Sequence, residues 1–253
     1  MMKRGLQKLP RVYAALHRAY YAALYWCERH LLGTRLHEWL WRLRGFEDPS
    51  GGSREHPHRA FLMTRLRRFA PFSSVLEVGC NVGANLVALR RAYPGVRLSG
   101  VDISPRAIRT AEARLAHQDI GDASLFVGRA DDLGQFGDRS VDVALTDATL
   151  MYVGPDKITR AIAELLRVAR KVLVLNEWHL FEPPRAGARA HWYYAHWVHD
   201  YRALLLGMPG VGVVRVERLP SELWGPGGWE MYGALVEVEL NDVRGGAESV
   251  RSA

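Results

Sequence analysis

Along the first forty residues, Val12, Leu16, Tyr20, Leu24, Cys27 and Leu31 fall three or four positions apart, the spacing of one helical face. The pattern predicts a helix that Gly33 can end, followed by a second that Thr34 can cap and that runs to about Arg44. Asp48-Pro49-Ser50-Gly51-Gly52-Ser53 reads as a loop. The pattern then changes. Short apolar runs at 74–78, 96–101, 171–177, 211–216 and 235–240 predict strands. A helix is expected after the first strand, through Leu89 to about Tyr93. Another is expected behind Ser104-Pro105, a capping residue followed by a good first helical residue. Residues 156–170 place Ile158, Ile162, Leu165 and Leu166 on one face of an amphipathic helix, and 190–206, rich in aromatics and histidine, also reads as helix. Strands alternating with helices, then two closing strands, predict an α/β protein with a mostly parallel sheet covered on both faces. Three regions result: a helical arm over 1–50, a domain over 51–240, and a polar tail over 241–253 expected to be disordered.

Composition and charge refine this picture. At 253 residues, 48% hydrophobic and 24% charged, the chain has the profile of a globular protein and is too apolar for a disordered one. Cys27 and Cys80 are its two cysteines, which excludes a disulfide framework and a cysteine-based zinc site. No metal site is expected, and a cytoplasmic location is. The longest uncharged run in the arm, residues 19–27, is too short to cross a bilayer. Lys8, Arg11, His17 and Arg18 interrupt any signal-peptide core, and the first serine, Ser50, comes too late for a typical transit peptide. Residues 1–45 carry nine Lys and Arg against Glu28 and Glu38, so the net charge of +7 belongs to the arm and the remainder sums to zero. Three readings of the arm stand side by side: cover packed on the domain, a lid whose aromatics (Tyr13, Tyr20, Tyr21, Tyr25, Trp26, Trp39, Trp41) line a substrate pocket, or a basic amphipathic surface touching anionic lipid.

Candidate chemistry lies between 73 and 102. A strand, the turn Gly79-Cys80-Asn81-Val82-Gly83-Ala84-Asn85 and a helix form a nucleotide-binding βα unit. Asn81 stands where glycine is common, and asparagine tolerates left-handed φ. Glu77 just before the turn would repel a pyrophosphate and welcome a positively charged ligand. Asp102, 23 positions after Gly79, ends the second strand where a carboxylate can accept both ribose hydroxyls of an adenosine. Asp142 reads as a strand-start or turn residue, and Asp132 as a ligand contact or the cap of a short turn.

These motifs resemble the class I S-adenosylmethionine-dependent methyltransferases. The matching residues are Val75-Leu76-Glu77-Val78-Gly79-Cys80-Asn81-Val82-Gly83, Gly100-Val101-Asp102-Ile103-Ser104, Gly128-Arg129-Ala130-Asp131-Asp132-Leu133, Asp138-Arg139-Ser140-Val141-Asp142-Val143-Ala144 and Lys171-Val172-Leu173-Val174-Leu175, in the family's order over about residues 54–240. The resemblance implies a Rossmann-like, doubly wound, seven-stranded sheet with an antiparallel last strand, plus the N-terminal helical extension. It implies S-adenosyl-L-methionine as cofactor. Glu77, Gly79, Asn81, Gly83 and Asn85 would hold its methionine end, Asp102 its ribose, Ile103 and Ala130 with Asp131 its adenine, and Asp147 would also lie at the cofactor. Many relatives have Asp directly after the loop glycine, where this chain has Arg129. His56 and His58 could reach the cofactor's carboxylate.

Ligands of such sheets bind beyond the carboxyl ends of the strands. Methyl transfer needs alignment of a nucleophile, with an optional base. Candidate bases are His179, His199, Asp147 and Glu177. Candidate acceptor contacts are Tyr21, Tyr25, Tyr152, Trp178 and Trp229. The expected partner is a small molecule methylated on oxygen, nitrogen or carbon. Thr146-Asp147-Ala148-Thr149 lacks the Pro-Pro-aromatic pattern of amino-methylating nucleic-acid enzymes, neither cysteine sits at the acceptor rim, and the neutral body argues against duplex binding. Aminopropyl transfer is disfavoured because Asp147 stands without a paired acid. The contrasting reading is an interaction or membrane-surface protein that uses the basic arm, with the cofactor fold as scaffold.

Overall fold

A computed structural model describes residues 10–43, 56–182, 187–224 and 227–241. The expected tail from 242 onward, the first nine residues and the loop at 44–55 lie outside the described residues.

The sheet has seven strands: β1 (Ser74–Val78), β2 (Arg97–Asp102), β3 (Ser124–Val127), β4 (Val141–Asp147), β5 (Ala169–Trp178), β8 (Val211–Arg218) and β9 (Gly233–Leu240). Their spatial order is β3-β2-β1-β4-β5-β9-β8. The first five are parallel, and the last strand, β9, runs antiparallel between β5 and β8. Because both faces are covered, the central strands read as continuous apolar runs rather than alternating ones. On one face Leu76, Val78, Ala144, Leu173, Leu175 and Val236 pack with Ile158, Ile162 and Leu165 of α6 (Ile158–Val168). On the other, Val75, Val143, Leu145 and Val174 meet α3 (Pro57–Leu66), α4 (Ala84–Ala92) and α5 (Pro105–Ala116). Each Leu, Ile or Val among them, fully buried, contributes about 1.5–3 kcal/mol.

Register sets the site. Val78 pairs with Val101 on one side and Thr146 on the other. The next residues, Gly79, Asp102 and Asp147, therefore leave the sheet at one level, with Asn176 paired beside Asp147. At the opposite end, Asp142 is structural: it accepts from the Ser73 amide and hydroxyl at 2.7 and 2.8 Å and from Arg170 at 2.5 Å. Burial opposes its charge, but these donors hold it down at about 2.

Two expectations are corrected. Residues 190–206 are not one helix. They form a hairpin, β6 (Ala190–Tyr193) and β7 (His196–His199), then the short α7 (Tyr201–Leu205). Tyr194 and Ala195 take positive φ to make the turn, Trp192 faces Trp197 across the strands with ring centroids 5.0 Å apart, and Asp200 caps α7 through the Ala203 amide. Cross-strand aromatic pairing outweighs an aromatic run that looks helical in sequence. Thr34, in turn, spends its hydroxyl on the domain, donating to Asp156 at 2.6 Å and accepting from the Gly154 amide at 2.7 Å.

The arm is α1 (Pro10–Cys27), a π-helical turn Glu28–Leu32, and α2 (Arg35–Leu43). Gly33 ends the turn at φ +55°, and a Cβ there would meet Asp156 Oδ2 at 2.6 Å, so glycine is required on both counts.

Candidate functional site

The turn after β1 is fastened to β2 by its own backbone. The amides of Gly79 and Cys80 both donate to Val101 O, at 2.7 and 3.0 Å. Gly79 sits at φ +81°, and a Cβ there would lie 1.9 Å from Thr149 Oγ1. Asn81 is left-handed at φ +46°, as its chemistry allows. Asp102 holds the turn in place: one carboxylate oxygen accepts from the Asn81 amide and the other from the Ser104 amide, each at 2.8 Å. Burial raises the Asp102 pKa even against these two donors. Each oxygen retains a lone pair for a further donor.

Behind the turn, two acids share one amide. Asn85 donates to Glu77 Oε1 and to Asp147 Oδ2, both at 2.7 Å. Asp147 also accepts from His58 Nε2 at 2.9 Å and Asn176 at 2.6 Å. Burial opposes its charge, but these donors keep its pKa below the usual value. Glu77 has no comparable help. It is 2% exposed, its Oε2 is a buried oxygen without a hydrogen-bond partner, and burial pushes its pKa up to about 8. The arrangement is an ionised Asp147 beside a Glu77 that favours its proton until a cation arrives.

A cavity of about 310 Å³ opens above these groups. Its floor includes Glu77, Gly79, Asn81, Asn85, Asp102, Ile103 and Asp147, and its far wall Ala130, Asp131 and Tyr152. The roof comes from the arm: Thr34, His37, Glu38 and Trp41. Three anchors hold the roof. Thr34 joins Asp156 and Gly154. Glu38 pairs with Lys157 and lies 3.7 Å from Arg129, while Arg129 also donates to Asp131 at 2.9 Å. Glu28, itself buried, accepts from Trp197 Nε1 at 2.6 Å and sits 2.7 Å from His37 Nδ1, while His37 Nε2 faces Ala195 O at 3.0 Å. The arm is thus joined to the β6–β7 hairpin and to the loop before α6.

Other candidates from the sequence lie off this cavity. Gly83, at φ +74°, starts α4, where a Cβ would crowd Ala111 at 3.2 Å. Glu177 accepts the amides of Thr149, Leu150 and Met151 at 2.9, 3.0 and 3.3 Å, and burial raises its pKa to about 7. It caps the 3₁₀ turn Leu150–Tyr152. His199 Nε2 donates to Val153 O at 2.7 Å, and His179 Nδ1 accepts from the Tyr201 amide at 3.2 Å. Burial lowers both to about 4, so both rings are neutral near pH 7. Tyr21 packs on Tyr194, Tyr25 on Trp192 and Trp197, and Trp178 on Tyr193, Trp229 and Tyr232. Trp229 stacks on Trp224, which does line the cavity. His37, Glu38, Arg59 and Lys157 line it without having been singled out as site residues from the sequence. The one available signal was Glu38, an acid isolated in a basic arm.

The strand order, the antiparallel last strand and a cavity beyond the parallel strand tips define a class I methyltransferase fold. The chain matches, over residues 75–171, a family model described as a methyltransferase domain. It is 32% identical over 137 residues to the magnesium-protoporphyrin O-methyltransferase of Rhodobacter capsulatus, covering 53% of this chain and 56% of that one. It is 30% identical over 103 residues to an uncharacterized protein of Haemophilus influenzae, covering 40% of each. The chain thus spans about half the length of the curated relatives it matches. The crystal structure of magnesium protoporphyrin IX methyltransferase from Synechocystis, with bound S-adenosylmethionine, superposes with a TM-score of 0.55 at 18% identity, over 85% of this chain and 95% of that one. No described helix is long and apolar enough to cross a membrane.

Proposed function

We propose that this chain is an S-adenosylmethionine-dependent methyltransferase acting on a small molecule, with an oxygen, nitrogen or carbon nucleophile as acceptor. The observation that carries the reading is that Glu77, the Gly79 turn, Asp102 and Asp131 all line one cavity, roofed by α2. When bound, the cofactor supplies a methyl group already activated on a sulfonium. The residues fit it. The partnerless Oε2 of Glu77 suits an ammonium, the open lone pairs of Asp102 suit a ribose diol, and Ile103, Ala130 and Asp131 offer an apolar surface and an acceptor for adenine. Trp41, Tyr152 and Trp224 would exclude water and position the acceptor. One relative is named for a small-molecule acceptor, magnesium-protoporphyrin, and a cavity of this size suits a small acceptor better than a nucleic acid. Two free cysteines, Cys80 among them buried, suit a cytoplasmic setting.

Glu77 gives the reading a pH signature. Its pKa rises from an ordinary 4.5 to about 8 in the folded protein, so the folded state keeps a proton that the unfolded chain releases in that window. Stability of the ligand-free protein therefore declines as pH climbs from about 4.5 to about 8. Cofactor affinity moves the other way, since a cationic ligand selects the carboxylate: it should strengthen up to about pH 8 and level off above. Glu77→Gln is expected to raise the melting temperature of the ligand-free protein at pH 7.5 by about 2–4 °C for each kcal/mol of relieved burial, and to flatten the pH dependence of binding. Calorimetric melts and titrations across pH read both.

Where the acceptor must lose a proton, the group in place is His58, oriented by Asp147 and 2.5 Å from His56 Nδ1. His58→Gln is expected to lower turnover about 10²–10⁴-fold, with cofactor affinity little changed. The enzyme reading itself is tested by incubating the protein and cofactor with cell extract. A product heavier by one methyl group supports it; cofactor binding without any methylated product from lysates rich in small molecules counts against it.

A further inference from the structure

We propose that the outward face of the arm is a docking surface for an anionic lipid bilayer, with Trp26, Leu31, Leu32 and Trp39 entering the headgroup region and Arg29, Arg35 and Arg42 meeting lipid phosphates. The arm has two sides of opposite character. Both of its acids are turned toward the domain: Glu28 is 2% exposed between Trp197 and His37, and Glu38 is paired with Lys157. Among the described residues, the ionised groups left on its outer side are the exposed Arg29, Arg35 and Arg42. Between them stand Trp26, Leu31 and Trp39, exposed by 55%, 65% and 58%, and Leu32 beside Leu31. Half of the ten large hydrophobic side chains exposed among the described residues lie in this one segment, with Tyr20 the fifth. Isolated exposed hydrophobics need no explanation, but such a cluster does.

Charge complementarity selects the occupant. Arginines interleaved with tryptophan and leucine match a surface that is anionic at the phosphates and apolar just beneath. A symmetric pair of arms would set the same three arginines against each other, which disfavours a second copy of this chain. The geometry is that of a segment lying on a membrane, and no described helix could span one. The opposite side of α2 carries His37, Glu38 and Trp41 into the cavity. A docked arm would therefore hold the cavity beside the lipid surface. The inference stands apart from methyl transfer and is tested apart from it.

The test is co-sedimentation of the full chain with phosphatidylcholine vesicles, with and without added phosphatidylglycerol. Binding is expected to the anionic vesicles only, to weaken with salt, and to fall on the order of a hundredfold in Arg29→Glu/Arg35→Glu/Arg42→Glu, each basic residue being worth about fivefold near such a surface. Trp26→Ala/Trp39→Ala should weaken it as well. Cofactor titration on the same variants should be unchanged, which separates a lost surface from a lost fold. Equal binding to neutral vesicles, no binding at low salt, wild-type binding by the arginine variant, or a solution dimer dissolved by the tryptophan variant would each overturn the proposal, the last by giving this face to a second copy.

Discussion

Asp102→Ala is expected to weaken S-adenosylmethionine binding by at least about a hundredfold. Removing a charged acceptor costs about 1.5–3 kcal/mol for each hydrogen bond lost, and a ribose diol would make two. The same carboxylate fixes the Asn81 and Ser104 amides, so the turn also loses its anchor to the start of α5. Asp102→Asn separates these contributions. It retains the shape of the side chain and one acceptor oxygen but sets an NH2 against the second backbone amide, so it should lose about tenfold or more in affinity and lower the melting temperature, though by less than Asp102→Ala. Titration calorimetry on both variants reads the result. Unaltered affinity in Asp102→Ala would remove the ribose from this strand tip.

Glu28→Ala should release the arm. The change strands the indole N–H of Trp197 and the ring of His37 in a buried place. Each buried donor left unsatisfied costs about 1–3 kcal/mol. The loss falls on the docking of α1 and α2, because the two cores of the sheet involve no arm residue. Amide exchange in residues 10–43 should accelerate by on the order of a hundredfold or more, with the sheet as protected as before. Methyl transfer should fall with it, since the roof of the cavity is supplied by α2. An arm that stays protected in this variant would mean that Thr34 and Glu38 suffice to hold it.

Much of the fold was readable because its signals are local. Strands covered on both faces appear as apolar runs, and the turn residues declare their backbone: Gly79 and Asn81 both take positive φ. Ser104 caps α5 through the Ala107 amide, as its position before Pro105 implied. The hairpin at 190–199 was not readable, because His191, Trp192, Trp197 and His199 gain their stability from partners across the strands and from the arm, which no window of sequence contains. The site divides in the same way. The positions of Glu77 and Asp102 follow from strand and turn. A strand-tip acid that caps a turn, such as Glu177, looks the same in sequence as one that faces a cavity, such as Asp147. Only register and depth separate them. The same holds for His58, at the cavity, against His179 and His199, buried behind it. The roof was the least legible part, since α2 meets Arg129 and Lys157 across more than ninety residues of chain.

The central claim is that an adenosine lies between Asp102 and the arm. A crystal structure of the protein grown with S-adenosylhomocysteine tests it most directly. The ribose hydroxyls should lie within hydrogen-bond distance of Asp102, the ammonium near Glu77 Oε2, and the adenine beside Ile103 and Asp131 beneath α2. A nucleoside bound elsewhere, or Asp102 facing only its two backbone amides while ligand occupies another cavity, would contradict the account.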